Sequence, residues 1–330
     1  MNHHGLCLEL SRTINIKRSW GLEGNNMDTP EDEKTLKTAR EIIEELDRQI
    51  NRAVQERRRL ESIISATGIG DRNYTSQPSP EASFPVSNVP GKASSGISKV
   101  DDLLNGGIDV PSNIVLKGPP FSGKEVLAIN FMARSIAENK PVIAVSLDRD
   151  IGKIKSDVMK ILGNIQDPEE SGLLKFIDGY SRTVQLQSPS KHAIVSDGIA
   201  NYSLFIKTLD SAAAGILETM GSYSFVFFSL TGMISQIDPK FFIKTLQHIT
   251  QKRRSENVIS IYMMDQGVFD ENVYESANYV MDGEIEFRVD FSKNYLRVRG
   301  MGSVKSRDWI EIMFHGNSFD LGSFDLKRVH

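Results

Sequence analysis

The chain has 330 residues, of which 39% are hydrophobic and 8% aromatic, so it can bury a substantial core in one or two domains. Its formal net charge of −4 lacks the basic excess of a dedicated nucleic-acid binder, so we expect no constitutive binding of DNA or RNA. A single cysteine, Cys7, and the lack of long apolar runs predict a cytoplasmic protein with no membrane span and no signal peptide.

The amino-terminal segment, residues 1–28, has no helical or strand period, and we expect it to be disordered. It is followed by Thr29-Pro30-Glu31-Asp32, which supplies a capping hydroxyl, a proline for the first helical position and acidic residues at the positive end of a helix. Because Met27 stands directly before this helix-start pattern, translation from Met1 and translation from Met27 both remain open.

A long amphipathic helix is predicted over residues 29–67. Its apolar positions recur at alternating spacings of three and four over about four heptads. These positions are Leu36, Ala39, Ile43, Leu46, Ile50, Ala53, Arg57, Leu60 and Ile64, of which Arg57 alone is charged and would weaken the pairing. The 3.5-residue period favours a coiled-coil seam, with a second copy or a partner protein, over a helix packed on its own domain.

A Pro/Ser-rich linker is predicted over residues 68–93, because Pro78, Pro80, Pro85 and Pro90 occur there with few apolar residues. The remaining residues, 94–330, have the size of one α/β domain. In this domain, apolar runs alternate with helical patterns, which predicts a mostly parallel sheet flanked by helices. The last three predicted strands are separated by short turns, which indicates an antiparallel edge at the carboxyl end.

The predicted strands of this domain are Asn113–Lys117, Val142–Leu147, Leu174–Ile177, Phe225–Ser229, Val258–Met263, Glu284–Val289, Tyr295–Arg299 and Trp309–Phe314. The predicted helices are Gly123–Glu138, Ile151–Leu162, Tyr202–Met220 and Lys240–Arg253.

A candidate phosphate-binding loop lies between the first of these strands and the first of these helices. Its sequence is Gly118-Pro119-Pro120-Phe121-Ser122-Gly123-Lys124-Glu125, which has the spacing Gly-x-x-x-x-Gly-Lys of a P-loop. The strand before the loop and the helix after it would aim backbone N–H groups and the positive helix end at an anion. The alternative is an ordinary glycine turn between a strand and a helix.

The residues before the loop, Gly96-Ile97-Ser98-Lys99-Val100-Asp101-Asp102-Leu103-Leu104-Asn105-Gly106-Gly107-Ile108, resemble the lead-in of the KaiC, RadA and RecA group of ATPases. Three downstream segments are also similar to segments of KaiC-like proteins: the strand Val142–Leu147 followed by Asp148-Arg149, the segment Tyr279–Ile285 and the strand Leu296–Gly302. The resemblance implies a RecA-like fold and ATP as the ligand. It also suggests an archaeal protein associated with signal transduction.

The departures from this family fall on the residues that the resemblance implies for catalysis. The Ser or Thr that binds Mg²⁺ after the P-loop lysine is Glu125, and the Walker B carboxylate is Ser229. Asp148 is the candidate water-orienting residue, in place of a longer glutamate. The two basic positions that reach a neighbour's nucleotide read Arg299, a possible contact in trans, and Met301. An arginine finger alone contributes about 10³ to 10⁵ in turnover, so we expect hydrolysis near background.

The sequence therefore predicts an inactivated KaiC-like protein that binds ATP without a well-held Mg²⁺ and acts as a nucleotide sensor or assembly regulator. Homo-oligomers or a coiled-coil partner protein are the expected partners. Three alternatives remain open: an active ATPase whose metal site is rebuilt from Glu125 and Asp148, a RadA-like DNA-binding paralogue, and a scaffold that binds no nucleotide. Apart from Asp148 as the candidate water-orienting residue, no catalytic residue is assigned.

Two further patterns have simpler interpretations. The basic run Lys252-Arg253-Arg254 lies at the predicted end of a helix, and we interpret it as a solvated cap that complements the helix dipole. The histidines are scattered with no second ligand at metal spacing, so no side-chain metal site is predicted.

Overall fold

The computed structural model describes residues 89–163 and 167–324. The predicted disordered segment 1–28, the predicted helix 29–67 and residues 68–88 of the predicted linker lie outside the described residues. These three predictions stay predictions. The first described strand, Lys92–Ala93, begins two residues before the predicted domain boundary at residue 94.

Twelve strands are present in the described ranges: β1 (Lys92–Ala93), β2 (Ile108–Asp109), β3 (Ser112–Gly118), β4 (Val142–Ser146), β5 (Leu174–Asp178), β6 (Ile194–Val195), β7 (Ser224–Phe228), β8 (Ile259–Asp265), β9 (Gly283–Asp290), β10 (Lys293–Arg299), β11 (Ile310–His315) and β12 (Ser318–Leu321). The helices in the same ranges are α1 (Ser98–Leu103), α2 (Lys124–Ala137), α3 (Ile151–Leu162), α4 (Tyr202–Met220), α5 (Leu230–Ile234), α6 (Pro239–Ser255) and α7 (Glu271–Tyr279).

Ten strands form one sheet in the order β12-β11-β10-β9-β3-β8-β7-β4-β5-β6. The strands from β9 to β6 run parallel, whereas β9 to β12 pair antiparallel along the other edge. The predicted α/β fold, with a mostly parallel sheet and an antiparallel carboxyl-terminal edge, is therefore confirmed. The predicted strands and helices are all present, and their ends differ from the predicted ones by no more than two residues.

Several short elements were not predicted: helices α1, α5 and α7, and strands β1, β2, β6 and β12. Most of them have six residues or fewer, which is too short for a helical or strand period to appear in the sequence. Of these strands, β6 and β12 pair at the edges of the large sheet, whereas β1 and β2 pair with each other in a separate two-stranded sheet.

The sheet separates two apolar cores, as the alternation of side chains along a strand requires. On β3, Ile114 and Leu116 pack with α2 and α3 on one face, whereas Val115 packs with α4 and α6 on the other. The central strands are buried on both faces, which explains why β7 consists of Ser224 followed by four apolar residues. Because both faces of the central strands are covered, the residues that follow these strands are placed to carry the polar groups of a site.

The segment before β3 is held by polar contacts around Asp101. Ser94 Oγ donates a hydrogen bond of 2.5 Å to Asp101 Oδ2, and the N–H of Ser95 donates one of 2.6 Å to Oδ1. Gly96 has a φ of +86°, and a Cβ built there would lie 2.3 Å from the carbonyl oxygen of Asn130 in α2. Glycine is therefore required at this position for both space and backbone conformation.

The interpretation of the basic run in α6 as a solvated cap is wrong for Arg253. This guanidinium is fully buried and lies 3.0 Å from Asp210 Oδ1 and 3.0 Å from Glu256 Oε2. It also packs against the rings of Tyr223 and Phe225. The period of the helix turns Arg253 toward the core, so this residue ties α6 to α4 instead of facing solvent.

Across the described ranges, none of the helices combines the length and the hydropathy that crossing a bilayer requires.

Candidate phosphate-binding site

The predicted P-loop connects the end of β3 to the start of α2, as the sequence indicated. Gly118 is the last residue of β3, and Lys124 is the first residue of α2. Gly123 precedes the helix in a left-handed conformation, with a φ of +108°. The helix of 14 residues therefore begins directly at the loop, and its first N–H groups have no partner within the helix.

Close packing leaves no room for a side chain at the start of the loop. A Cβ at Gly118 would lie 2.7 Å from Phe287 Cβ and 2.8 Å from the Phe287 carbonyl oxygen. Phe121, in contrast, projects into solvent and is 92% exposed, although its φ is +62°. Its carbonyl oxygen accepts a hydrogen bond of 3.0 Å from Asn294 Nδ2, which links the loop to β10. A bulky residue at positive φ is unusual, and this contact helps to hold it there.

The loop has a buried polar interior. The side chain of Ser122 is fully buried, and its hydroxyl has no hydrogen-bond partner among the described residues. The Lys124 side chain is also fully buried, and its ammonium donates a hydrogen bond of 2.9 Å to the Pro119 carbonyl oxygen. Burying a hydroxyl without a partner costs about 1–3 kcal/mol, so this loop retains unused hydrogen-bonding capacity.

Two carboxylates neutralise Lys124. Its Nζ lies 2.7 Å from Asp265 Oδ1 and 3.1 Å from Glu125 Oε1. Asp265 is the last residue of β8, the strand that pairs with β3, and the register places it directly beside Gly118. The cation that a P-loop offers to phosphate is therefore already paired within the chain.

A second cation, Arg149, lies beside this pair. Its Nη1 is 3.3 Å from Glu125 Oε1, its Nε is 3.6 Å from Asp148 Oδ1, and its Nη2 is 3.8 Å from Asp265 Oδ2. The side chain is 28% exposed, so it lies at the mouth of the site. Five charged side chains thus converge at the carboxyl ends of neighbouring strands, which is where ligands bind in open parallel sheets.

Ser229 and Asp148, which follow β7 and β4, contact each other. Ser229 caps the short helix α5, where its Oγ accepts a hydrogen bond from the N–H of Gly232. The same hydroxyl donates a hydrogen bond of 2.5 Å to Asp148 Oδ2. The structure therefore brings Asp148 and Ser229 together at the site, but it directs one oxygen of the candidate water-orienting carboxylate to a serine.

A divalent metal does not fit this arrangement. Mg²⁺ requires oxygen ligands at about 2.0–2.1 Å in octahedral geometry. At the position that binds it in the family, Glu125 is instead paired with Lys124 and Arg149, and Ser229 offers a neutral hydroxyl. Within the described ranges, no group of three or more His, Cys, Asp or Glu residues is arranged to hold a metal ion.

Arg299 and Met301, which stand at the two basic positions of the family, differ in their exposure to solvent. Arg299 is 54% exposed, and its Nη1 lies 3.5 Å from Glu284 Oε2 and 3.8 Å from Glu286 Oε2. Met301 is buried in the core, and a Cβ at Gly283 would overlap its Cγ. Arg299 is therefore available at the surface for another molecule, whereas Met301 is not.

Sequence reasoning missed Asp265 and Arg149 as site residues. The strand that contains Asp265 was predicted, but its end was placed at Met263, two residues short. An apolar run that ends in Asp is the usual pattern of a strand that delivers a carboxylate to a nucleotide site, and Ile261-Tyr262-Met263-Met264-Asp265 has this pattern. Arg149 had no such pattern, because two of the three carboxylates around it, Glu125 and Asp265, come from distant parts of the chain.

Known proteins resemble this chain over the region just described. The family described as "ATPase: KaiC" matches residues 93–313. A UPF0273 protein of Methanopyrus kandleri is 28% identical over 32% of this chain and 42% of its own length. A UPF0273 protein of Pyrococcus furiosus is 25% identical over 38% of this chain and 50% of its own length. The matched regions thus span about half the length of these relatives.

A solved structure also shares the fold. The crystal structure of a KaiC-like protein from Pyrococcus horikoshii superposes with a TM-score of 0.55, at 14% identity. The superposition covers 70% of this chain and 99% of that protein. At this identity the likeness shows the fold alone. The family match covers the loop and all five charged residues of the site.

Proposed function

Because the chain belongs to the KaiC ATPase family, we propose that its P-loop binds ATP and hydrolyses it slowly or not at all. Nucleotide occupancy would then act as a signal rather than as a source of energy. The observation that carries this proposal is the pairing of Glu125 with Arg149 and Lys124, at the position where the family holds its metal.

Binding and turnover depend on different parts of the site. The loop backbone, the start of α2 and Lys124 contact phosphate in the ground state, and all three are present. Transition-state stabilisation requires a metal, a free carboxylate and a trans arginine. Here Asp148 is hydrogen-bonded to Ser229, and Met301 is apolar and buried. The retained phosphate-binding groups therefore support binding of a nucleotide, whereas the altered catalytic positions do not support its hydrolysis.

The proposed output is a change in assembly. In this proposal, occupancy of the loop biases association with like subunits or a partner protein, with Arg299 as an exposed contact. The predicted coiled coil at residues 29–67 would supply dimerisation, and the protein would act in the cytoplasm. Sedimentation velocity of the whole chain with and without ATP tests this output: equal association states under both conditions would contradict it.

Isothermal titration of the whole chain with ATP, together with a phosphate-release assay, tests the proposed function. We expect affinity in about the micromolar range and phosphate release below about 0.01 per second. Lys124→Ala should abolish binding. Absence of binding at about 1 mM ATP would support a scaffold instead.

The same assay distinguishes the rival function, an active ATPase with a metal site rebuilt from Glu125 and Asp148. That function requires phosphate release above about 0.01 per second, dependent on Mg²⁺ and lost in Lys124→Ala. The partial exposure of both carboxylates keeps them within reach of an ion. Their pairing with Arg149 argues against it.

A further inference from the structure

The guanidinium of Arg149 faces three carboxylates. Each of three nitrogens of its guanidinium faces a different acidic side chain, at 3.3 Å from Glu125, 3.6 Å from Asp148 and 3.8 Å from Asp265. These acids come from the start of α2 and from the ends of β4 and β8. The guanidinium therefore provides positive charge at a point where three separate elements deliver negative charge.

The charges of the site require a cation there. Three carboxylates converge, and Lys124 alone cannot neutralise them. With Lys124 as the one cation, the three carboxylates would leave two negative charges in excess. Arg149 reduces this excess to one, which lowers the like-charge repulsion of an entering phosphate group. A divalent ion could also provide this charge, but it would have to displace the guanidinium from Glu125 and sit beside two other cations.

We propose that Arg149 replaces the metal ion, so that this chain binds the phosphates of a nucleoside triphosphate in their metal-free form. This inference rests on the proposed function. Lys124 and Arg149 are then the two cations of the phosphate site, and Glu125, Asp148 and Asp265 hold them in place until the ligand arrives. A guanidinium matches phosphate well because its planar fork can donate two parallel hydrogen bonds.

The distances support exchange of partners. Charge-assisted hydrogen bonds between a guanidinium and a carboxylate are typically about 2.7–2.9 Å long. The three contacts of Arg149 are all longer than this, and its side chain is partly exposed. The guanidinium of Arg253, in contrast, is held firmly, because it is fully buried and has two carboxylate contacts at 3.0 Å. Arg149 is thus positioned but not locked, as a phosphate ligand must be before binding.

Metal-free and magnesium-bound ATP should be distinguished by this site. Magnesium neutralises two of the negative charges of ATP and occupies the phosphate oxygens that the guanidinium would contact. The metal-free nucleotide should therefore bind at least as tightly as the magnesium complex. In a P-loop that holds its metal, the preference is the opposite.

The test is a titration of the whole chain with ATP, in excess EDTA and in excess Mg²⁺. Wild type, Arg149→Gln and the control Arg182→Gln are compared. Arg182 is an exposed arginine paired with Asp197 at 2.8 Å, far along the chain from the loop. We expect wild type and Arg182→Gln to bind at least as tightly in EDTA, and Arg149→Gln to lose about 10- to 100-fold in EDTA. Circular dichroism confirms that each variant is folded.

A double variant provides a second measurement. Glu125→Thr combined with Arg149→Ser restores the family's hydroxyl and removes the guanidinium, so it should bind ATP more tightly with Mg²⁺ than without it. Two results together would overturn the inference but leave the proposed function intact. The first is a wild-type affinity for ATP that improves more than about 10-fold with Mg²⁺, and the second is an equal affinity of Arg149→Gln and Arg182→Gln for ATP in EDTA. No binding by wild type in either buffer would overturn both.

Discussion

The hydroxyl of Ser229 donates a hydrogen bond of 2.5 Å to Asp148 Oδ2, across the ends of β7 and β4. These strands pair in parallel register, so the residues that follow them emerge side by side. In an active P-loop ATPase, a carboxylate at the position of Ser229 would hold a metal ion, and a free acid at the position of Asp148 would orient a water molecule. Here the Ser229 hydroxyl is bonded to one oxygen of Asp148, whereas Asp148 Oδ1 has no hydrogen-bond partner among the described residues.

Ser229→Ala should lower the free energy of unfolding by about 1.5–3 kcal/mol, because the lost hydrogen bond has a charged acceptor. The matched control is Ser235→Ala in the same helical segment, since Ser235 Oγ donates to the neutral carbonyl of Gly232 at 2.9 Å. The control should cost about 0.5–1.5 kcal/mol. Urea denaturation measures both values. Equal losses of stability in the two variants would show that the hydrogen bond to Asp148 contributes no more than one to a neutral carbonyl.

Asp265→Asn should raise the affinity for ATP by about 10-fold. The carboxylate lies 2.7 Å from Lys124 Nζ and competes with phosphate for the ammonium, whereas an amide of the same size competes weakly. Asp270→Asn is the control, because Asp270 is exposed and its side chain makes no capping hydrogen bond. Titration calorimetry provides the comparison. An Asp265→Asn affinity at or below that of Asp270→Asn would contradict the competition.

Arg253→Met should destabilise the fold by about 3–5 kcal/mol, because it removes a fully buried guanidinium that pairs with the partly buried acids Asp210 and Glu256. Lys252→Met removes the neighbouring charge, which is 43% exposed, and should change stability by less than about 0.5 kcal/mol. Both values come from urea denaturation. If Arg253→Met were as mild as the control, the buried cluster would not hold α6 to α4.

Burial raises the pKa of Asp101 above its ordinary value of 3.8, despite hydrogen bonds from Ser94 and Ser95 that lower it. The folded chain thus holds this proton more tightly than the unfolded chain does. The resulting stability is fully present below pH 3.8 and is lost as the pH rises through the higher, folded-state pKa.

Asp101→Asn removes this titration. As the pH rises from 3.8, the free energy of unfolding of wild type should therefore fall relative to that of Asp101→Asn. The difference between the two proteins should level off above the pKa that Asp101 has in the folded chain. Urea denaturation at a series of pH values measures it. Asp102→Asn, whose side chain is 45% exposed on the same helix, controls for loss of one negative charge. A difference that stays constant with pH would be contrary to this expectation.

Much of the fold was predictable because it depends on local patterns. Apolar runs that alternate with helical periods predicted the sheet and its flanking helices, and the carboxyl-terminal strands were predicted antiparallel from their short turns. The P-loop could be located because Gly118, Gly123 and Lys124 are close in sequence and follow a buried strand. The short helices and strands could not, since their few residues carry no period.

The sequence by itself determined where the P-loop lies and, through its resemblance to KaiC-like proteins, predicted that Glu125 and Ser229 stand at the positions of catalytic residues. Only the tertiary structure decided what these residues do. Glu125, Arg149 and Asp265 follow or end strands whose order in the sheet is β3-β8-β7-β4, and that order depends on packing between segments distant along the chain. The ion-pair network exists because parallel strands deliver their carboxyl ends to one edge, where charges left outside two apolar cores must neutralise one another.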